Sequence, residues 1–144
     1  MTVTADASFL VSLYGGDVNT PDARKWMAAS ATPVILTPPL RFETENALRL
    51  ATFRGKITPA ELHQALAEIA SDLSAGILIH REIPAVRLWK ECSRLSLAHT
   101  LTQGARAFDI LHVATALLVK ADTFLSFDQR QITLAKTVGL ATAP

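Results

Sequence analysis

The chain has 144 residues, room for one domain, and its 49% hydrophobic content excludes a disordered polymer. Fourteen Lys and Arg against thirteen Asp and Glu leave a net charge of +1, so overall charge favours no partner and any nucleic-acid contact must come from local basic patches. The single cysteine, Cys92, excludes an internal disulfide and a multi-cysteine zinc site, and suits a reducing cytoplasm.

Thr2–Ala5 is rich in β-formers and ends at Asp6, which predicts a first strand. Ala7–Tyr14 (ASFLVSLY) reads as a helix stopped by Gly15-Gly16. Pro21 opens a second helix through about Ser30, with Asp22 in its first turn. Pro33–Thr37 (PVILT) is a short continuous apolar run, the pattern of a buried parallel strand, and Pro38-Pro39 are expected to break the chain after it. From Leu40 to Arg54 the pattern is helical, with Leu40, Ala47, Leu48 and Ala51 on one face and Gly55 closing the segment. Thr58-Pro59-Ala60-Glu61 is a helix start with a capping box, and Leu62, Leu66, Ile69 and Leu73 carry that helix toward Gly76.

Gly76–Ile83 contains GILIH, readable as a short strand or a turn, and Pro84 begins a helix running to about Thr102. Ala107–Ala121 is apolar nearly all round, a helix buried on most sides. Thr123–Phe127 is a strand ending at Asp128, Gln129–Val138 an amphipathic helix closed by Gly139, and Leu140–Ala143 a last edge strand. Strands alternating with helices predict one α/β domain over residues 1–144, a three-layer α/β/α sandwich with a central, mainly parallel sheet. The N-terminal MTVTADASFLVSLYGG lacks basic residues and Asp6 interrupts its apolar run, so neither a leader nor a membrane anchor is expected there and the expected location is cytoplasmic.

Four acids lie where such a sheet binds ligands. Asp6 and Asp128 each follow a strand and precede a helix, and Glu43 and Asp109 sit in first turns of their helices. Each alone could be a helix cap or a complement to the helix dipole, worth ~0.3–1 kcal/mol as a dipole partner. Convergence of all four is a different matter. Packed carboxylates repel and need a cation. Mg²⁺ and Mn²⁺ prefer oxygen ligands, and a site of this kind activates water and neutralises phosphate charge. The chemistry therefore points to phosphodiester hydrolysis, with metal ligands Asp6, Glu43, Asp109 and Asp128.

The segments TADASFLVSLY, LRFETENALRL and ARAFDILHVATALLVKADTFLSFDQRQITLAKTVGL resemble the PIN domain, in particular the VapC-like toxins of type II toxin–antitoxin systems. The most specific part is Asp109-x-x-His112-x-Ala114-x-Ala116 followed by Ser126-Phe127-Asp128. The resemblance implies a metal-dependent endoribonuclease. Asp6 matches the first-strand acid, Asp109 the helix acid, Asp128 the acid after the fourth strand, and Glu43 the second acid because Asn46 follows three residues on. Glu45 competes with Glu43, but lies ~200° around the helix, so only one can face the site. The resemblance further implies an RNA substrate and an antitoxin partner, and the apolar composition suits a homodimer.

Ser8 and Ser126 could orient a carboxylate, although capping or turn roles are the simpler reading. His112 lies in apolar surroundings and reads as a buried histidine bonded to backbone or carboxylate; His63, His80 and His99 show no ligand spacing. Arg41, Arg49, Arg54 and Lys56 cluster around the Glu43 helix, and Arg106 and Arg130 flank acidic positions, arrangements that RNA phosphates require and that a solvated face also produces. Trp26 and Trp89 are expected in core or interface. A non-catalytic binding module, its acidic pocket docking a basic segment, is the competing reading from another class. A phosphatase is a third, weakened by the absence of a second Asp two residues after Asp6.

Overall fold

The computed structural model describes residues 1–144. Its strands are β1 (Val3–Ala5), β2 (Val34–Leu36), β3 (Leu78–His80), β4 (Thr123–Leu125) and β5 (Ala141–Ala143). Its helices are α1 (Ala7–Gly15), α2 (Thr20–Ala29), α3 (Pro38–Phe53), α4 (Pro59–Ser74), α5 (Ala85–Gln103), α6 (Ala107–Leu118) and α7 (Gln129–Thr137). The strands form one sheet in the order β3-β2-β1-β4-β5, all pairs parallel.

Alternation along the strands builds two cores. Val3, Ala5, Val34, Leu36, Leu78 and Leu125 face α1–α4, where Phe9, Leu10, Leu40, Leu48, Ala65 and Ile69 pack. Phe124 faces the other way, into a core of Leu88 and Leu95 from α5, Ile110, Leu111, Val113, Ala114 and Ala116 from α6, and Leu134 and Ala135 from α7. This is the expected three-layer sandwich. Gly15 lets α1 approach α3 closely, since a Cβ there would meet Leu48 Cδ2 at 3.0 Å.

Two expectations change. Pro38-Pro39 do not break the chain: they are the first turn of α3, with Thr37 Oγ1 capping by accepting from Leu40 N–H at 3.4 Å. Proline suits that position, because the first-turn N–H groups have no helical partner to lose. The buried helix α6 ends at Leu118 rather than Ala121, because Lys120 turns to a left-handed φ of 55°. The GILIH segment divides: Gly76 and Ile77 belong to the turn after α4, and Leu78–His80 is strand, pairing with β2 in the register Ile35↔Ile79.

Helix α5 leaves Val86, Trp89, Leu97 and Leu101 exposed. No helix is long and apolar enough to cross a membrane.

Candidate active site

The register of β1 against β4 sets the site. Ala5 is paired with Leu125, and Asp6 N–H donates to Leu125 O at 3.0 Å, so Asp6 and Ser126 leave the sheet side by side. Asp6 is fully buried and caps α1, its Oδ1 accepting from Phe9 N–H at 3.0 Å. Ser8 Oγ donates to the same oxygen at 2.6 Å, and Ser126 Oγ donates to Oδ2 at 2.5 Å. Ser8 Oγ also accepts from Phe127 N–H at 2.9 Å, which locks the α1 start against the β4 exit. Both serines therefore orient the Asp6 carboxylate, beyond the capping roles that sequence alone favours. Burial pushes the Asp6 carboxyl above its usual range, and the bonds from Ser126, Ser8 and Phe9 oppose that shift.

Glu43 and Glu45 part company as the helical angle requires. Glu45 faces outward between Arg41, at 2.8 Å, and Arg49, at 3.4 Å. Glu43 turns toward the other acids, where its Oε2 is bonded to Nε2 of His112. His112 is buried on α6 beside Phe108, the ring centroids 5.9 Å apart and the planes tilted by 54°.

Asp109 is 4% exposed, and its Oδ2 accepts from Arg106 N–H at 3.1 Å at the start of α6. The Arg106 guanidinium reaches the same oxygen from Nε at 3.2 Å and Asp128 Oδ2 from Nη2 at 3.4 Å. Its bond to Asp109 raises the guanidinium further above its ordinary range. Asp128 caps α7 through Oδ1, which accepts from Arg130 N–H at 2.8 Å and Gln131 N–H at 3.3 Å. It is a cap and a cavity carboxylate together.

All four carboxylates line one cavity of about 260 Å³, with Arg106 and Gln131 among the other walls. Gln131 is 4% exposed, and its buried Oε1 has no hydrogen-bond partner. As the side chains stand, no three His, Cys, Asp or Glu residues converge tightly enough to enclose an ion. Each carboxylate is instead held by a neighbour: Asp6 by two serines, Glu43 by His112, Asp109 and Asp128 by Arg106. The donor set is nonetheless all oxygen, the kind that Mg²⁺ and Mn²⁺ favour. Gln131 also lines the cavity, and its buried Oε1 is left without a donor. The residues fit a hard divalent cation.

Sequence reasoning missed Gln131 and the double reach of Arg106. The i,i+3 spacing of Arg106 to Asp109 was the available signal for the latter.

A family model described as the PIN domain matches residues 3–137, a span that contains all four acids. Among solved structures, VapC20 of Mycobacterium tuberculosis, a sarcin–ricin-loop-cleaving toxin, aligns with a TM-score of 0.72 at 18% identity over 97% of each chain. PAE2754 of Pyrobaculum aerophilum aligns with a TM-score of 0.67 at 18% identity, over 99% of this chain and 90% of that one. At such identity the likeness is one of fold. No curated protein matches the sequence significantly. A match spanning both cores, the whole parallel sheet up to β4 and every cavity carboxylate leaves one conclusion: the chain belongs to the PIN-domain family.

Proposed function

We propose that this protein is a metal-dependent endoribonuclease, using Mg²⁺ or Mn²⁺ to hydrolyse RNA phosphodiester bonds. The observation that carries the reading is that Asp6, Glu43, Asp109 and Asp128 all line one cavity in a PIN-family chain. Asp6, Asp109, Glu43 and Asp128 would hold the cation. When bound, it supplies neutralisation of the phosphate and a lowered pKa for attacking water. The chain's own contributions are positional: Ser8 and Ser126 fix the Asp6 carboxylate, and His112 aims Glu43. Ser126 and His112 are buried, and Ser8 is tied to both Asp6 and Phe127 N–H, so these groups serve as positioning residues, which suits attack by water.

The family and the likeness to a toxin support a place in a toxin–antitoxin pair, with a small antitoxin blocking the cavity. The exposed apolar residues of α5 support a homodimer. In the test, RNA is incubated with Mg²⁺ or Mn²⁺ and the unaltered protein, Asp6→Asn or Asp109→Asn. Cleavage by the unaltered protein alone is expected. Metal-dependent cleavage undiminished in both folded variants would sink the assignment. Co-expression with the product of an adjacent short reading frame tests the antitoxin: loss of cleavage and co-purification are expected.

A second reading, a non-catalytic module that docks a basic segment, has one observation in its favour: Arg106 already places a guanidinium on two of the acids. Mn²⁺ titration separates the two, because the module predicts no binding that depends on Asp6 or Asp109.

A further inference from the structure

The acidic cavity continues along the seam between α1 and α3. Val11 and Ala47 are walls both of the carboxylate cavity and of a second cavity, of about 300 Å³, that ends at Arg54 and Lys56. On α3 the lining includes a stripe of Glu43, Ala47 and Leu50, continued by Arg54 just past the helix end at the i, i+4, i+7, i+11 spacing of a single face, with Leu48 and Ala51 beside it. Eleven residues of helix place Arg54 about 16 Å along the axis from Glu43, enough for a strand of nucleotides to lie between them.

The far end is cationic and pre-shaped. Arg54 and Lys56 are exposed, and neither takes part in an ion pair. They flank Gly55, whose left-handed φ of 70° turns the chain at the end of α3. Lys56 N–H donates to Ala51 O at 2.9 Å and Gly55 N–H to Thr52 O at 3.0 Å, which pins the backbone of the turn. The one carboxylate among the same walls, Asp17, accepts from Ser12 Oγ and Asn19 N–H, both at 2.8 Å. Phe53, next in sequence, is 87% exposed, a stacking surface of the kind single-stranded nucleic acid uses.

We propose that Arg54 and Lys56 form a phosphate subsite that holds the backbone of single-stranded RNA flanking the bond to be cut, with the α1–α3 seam as its track. This rests on the nuclease reading. A polyanion approaching four carboxylates needs cations away from the reacting phosphate, and these two are unspent. Single-stranded RNA is favoured over an acidic peptide because the seam leads directly to the proposed phosphodiester site.

The test compares the unaltered protein with Arg54→Ala/Lys56→Ala in fluorescence anisotropy, using a short fluorescein-labelled single-stranded RNA in EDTA so that no cleavage intervenes. Affinity is expected to fall about tenfold, and the slope of log K against log salt to flatten by about 1.4, at ~0.7 for each phosphate left without its cation. Metal-dependent cleavage of a dinucleotide too short to reach the subsite should be unchanged, and the thermal melt should match that of the unaltered protein. RNA bound by both proteins with the same affinity and slope would overturn the subsite while leaving the nuclease reading intact. Displacement of the RNA by poly-glutamate at equal charge concentration would also overturn it, assigning the pair to an acidic protein. RNA neither bound nor cut by the unaltered protein would overturn the nuclease reading, and the subsite with it.

Discussion

The buried imidazole of His112 is bonded through Nε2 to Glu43 Oε2, a link across 69 residues of sequence. It joins α6, which packs in one core, to α3, which packs in the other, at the carboxyl end of the sheet. His112→Ala leaves Glu43 without that partner and opens a void in α6. We expect a loss of about 1.5–3 kcal/mol, the range for a hydrogen bond to a charged group. A urea transition with a lower midpoint and unchanged m-value would show it. The same variant should bind Mn²⁺ more weakly, because nothing then aims Glu43 into the cavity. An unchanged midpoint and unchanged metal affinity would deny the bond any part in either.

Asp6 is an acid whose burial raises its pKa in the folded state above the unfolded value. The native protein then holds the proton more tightly than the unfolded chain, so stability falls as pH rises from the ordinary Asp range through the folded pKa. Above that range the ionised carboxylate is a standing cost. In metal-free buffer, Asp6→Asn is therefore expected to raise the melting temperature at neutral pH, and the gain should vanish at pH values below the ordinary Asp pKa. The amide can keep the Phe9 N–H bond through its oxygen and turn its NH₂ toward Ser126 Oγ. A melt that is lower at neutral pH, or a difference independent of pH, would contradict the burial argument. Cleavage should be lost at every pH.

Asp6 is legible in the sequence because an acid directly after an apolar strand has few places to go in a parallel sheet. Asp128 is legible as the cap of α7, although β4 ends at Leu125, short of the expected Phe127. Glu43 is separable from Glu45 because two residues on a helix swing the side chain to the other face. The first turn of α3 is less legible, since Pro38-Pro39 fit a helix start as well as a break, and only the Thr37 cap distinguishes them. The serine bonds to Asp6 are invisible for a different reason. Ser126 lies 120 residues from Asp6, and the β1–β4 register that makes them neighbours is a property of the assembled sheet. The α1–α3 seam is likewise tertiary: Arg54 and Lys56 read as a solvated face until α1 supplies the opposite wall.

Tyr14, the only tyrosine, donates its hydroxyl to Asp72 Oδ2 at 2.6 Å across the α1–α4 contact. Burial, with the hydrogen bond and negative charge of Asp72, pushes the phenol well above its ordinary value. The unfolded chain thus releases this proton first, and the stability it contributes, complete below the ordinary tyrosine pKa of ~10, declines as pH rises above it. Spectrophotometric titration should show no phenolate at pH ~10, with ionisation arriving together with alkaline unfolding. A normal titration midpoint in the folded protein would refute this. Tyr14→Phe should cost about 1.5–3 kcal/mol by leaving Asp72 short of a donor.

Arg106 is the one cation among the residues that line the carboxylate cavity, and its side chain is 63% exposed while it spans Asp109 and Asp128. A divalent ion entering the same cavity must draw on those carboxylates, so the guanidinium competes with it for their charge. Exposed ion pairs are typically worth ~0.5 kcal/mol each, so relief of two such pairs, ~1 kcal/mol together, should tighten Mn²⁺ binding about fivefold in Arg106→Ala. Lysine cannot fork to both carboxylates, and Arg106→Lys should therefore lie between the two. The backbone cap, Arg106 N–H to Asp109, survives both substitutions, which keeps the start of α6 intact. Calorimetric titration with Mn²⁺ reads the difference directly, and the gap should narrow as added salt screens the exposed pairs. Weaker Mn²⁺ binding in Arg106→Ala would mean that the guanidinium organises the carboxylates for the ion instead of competing with it.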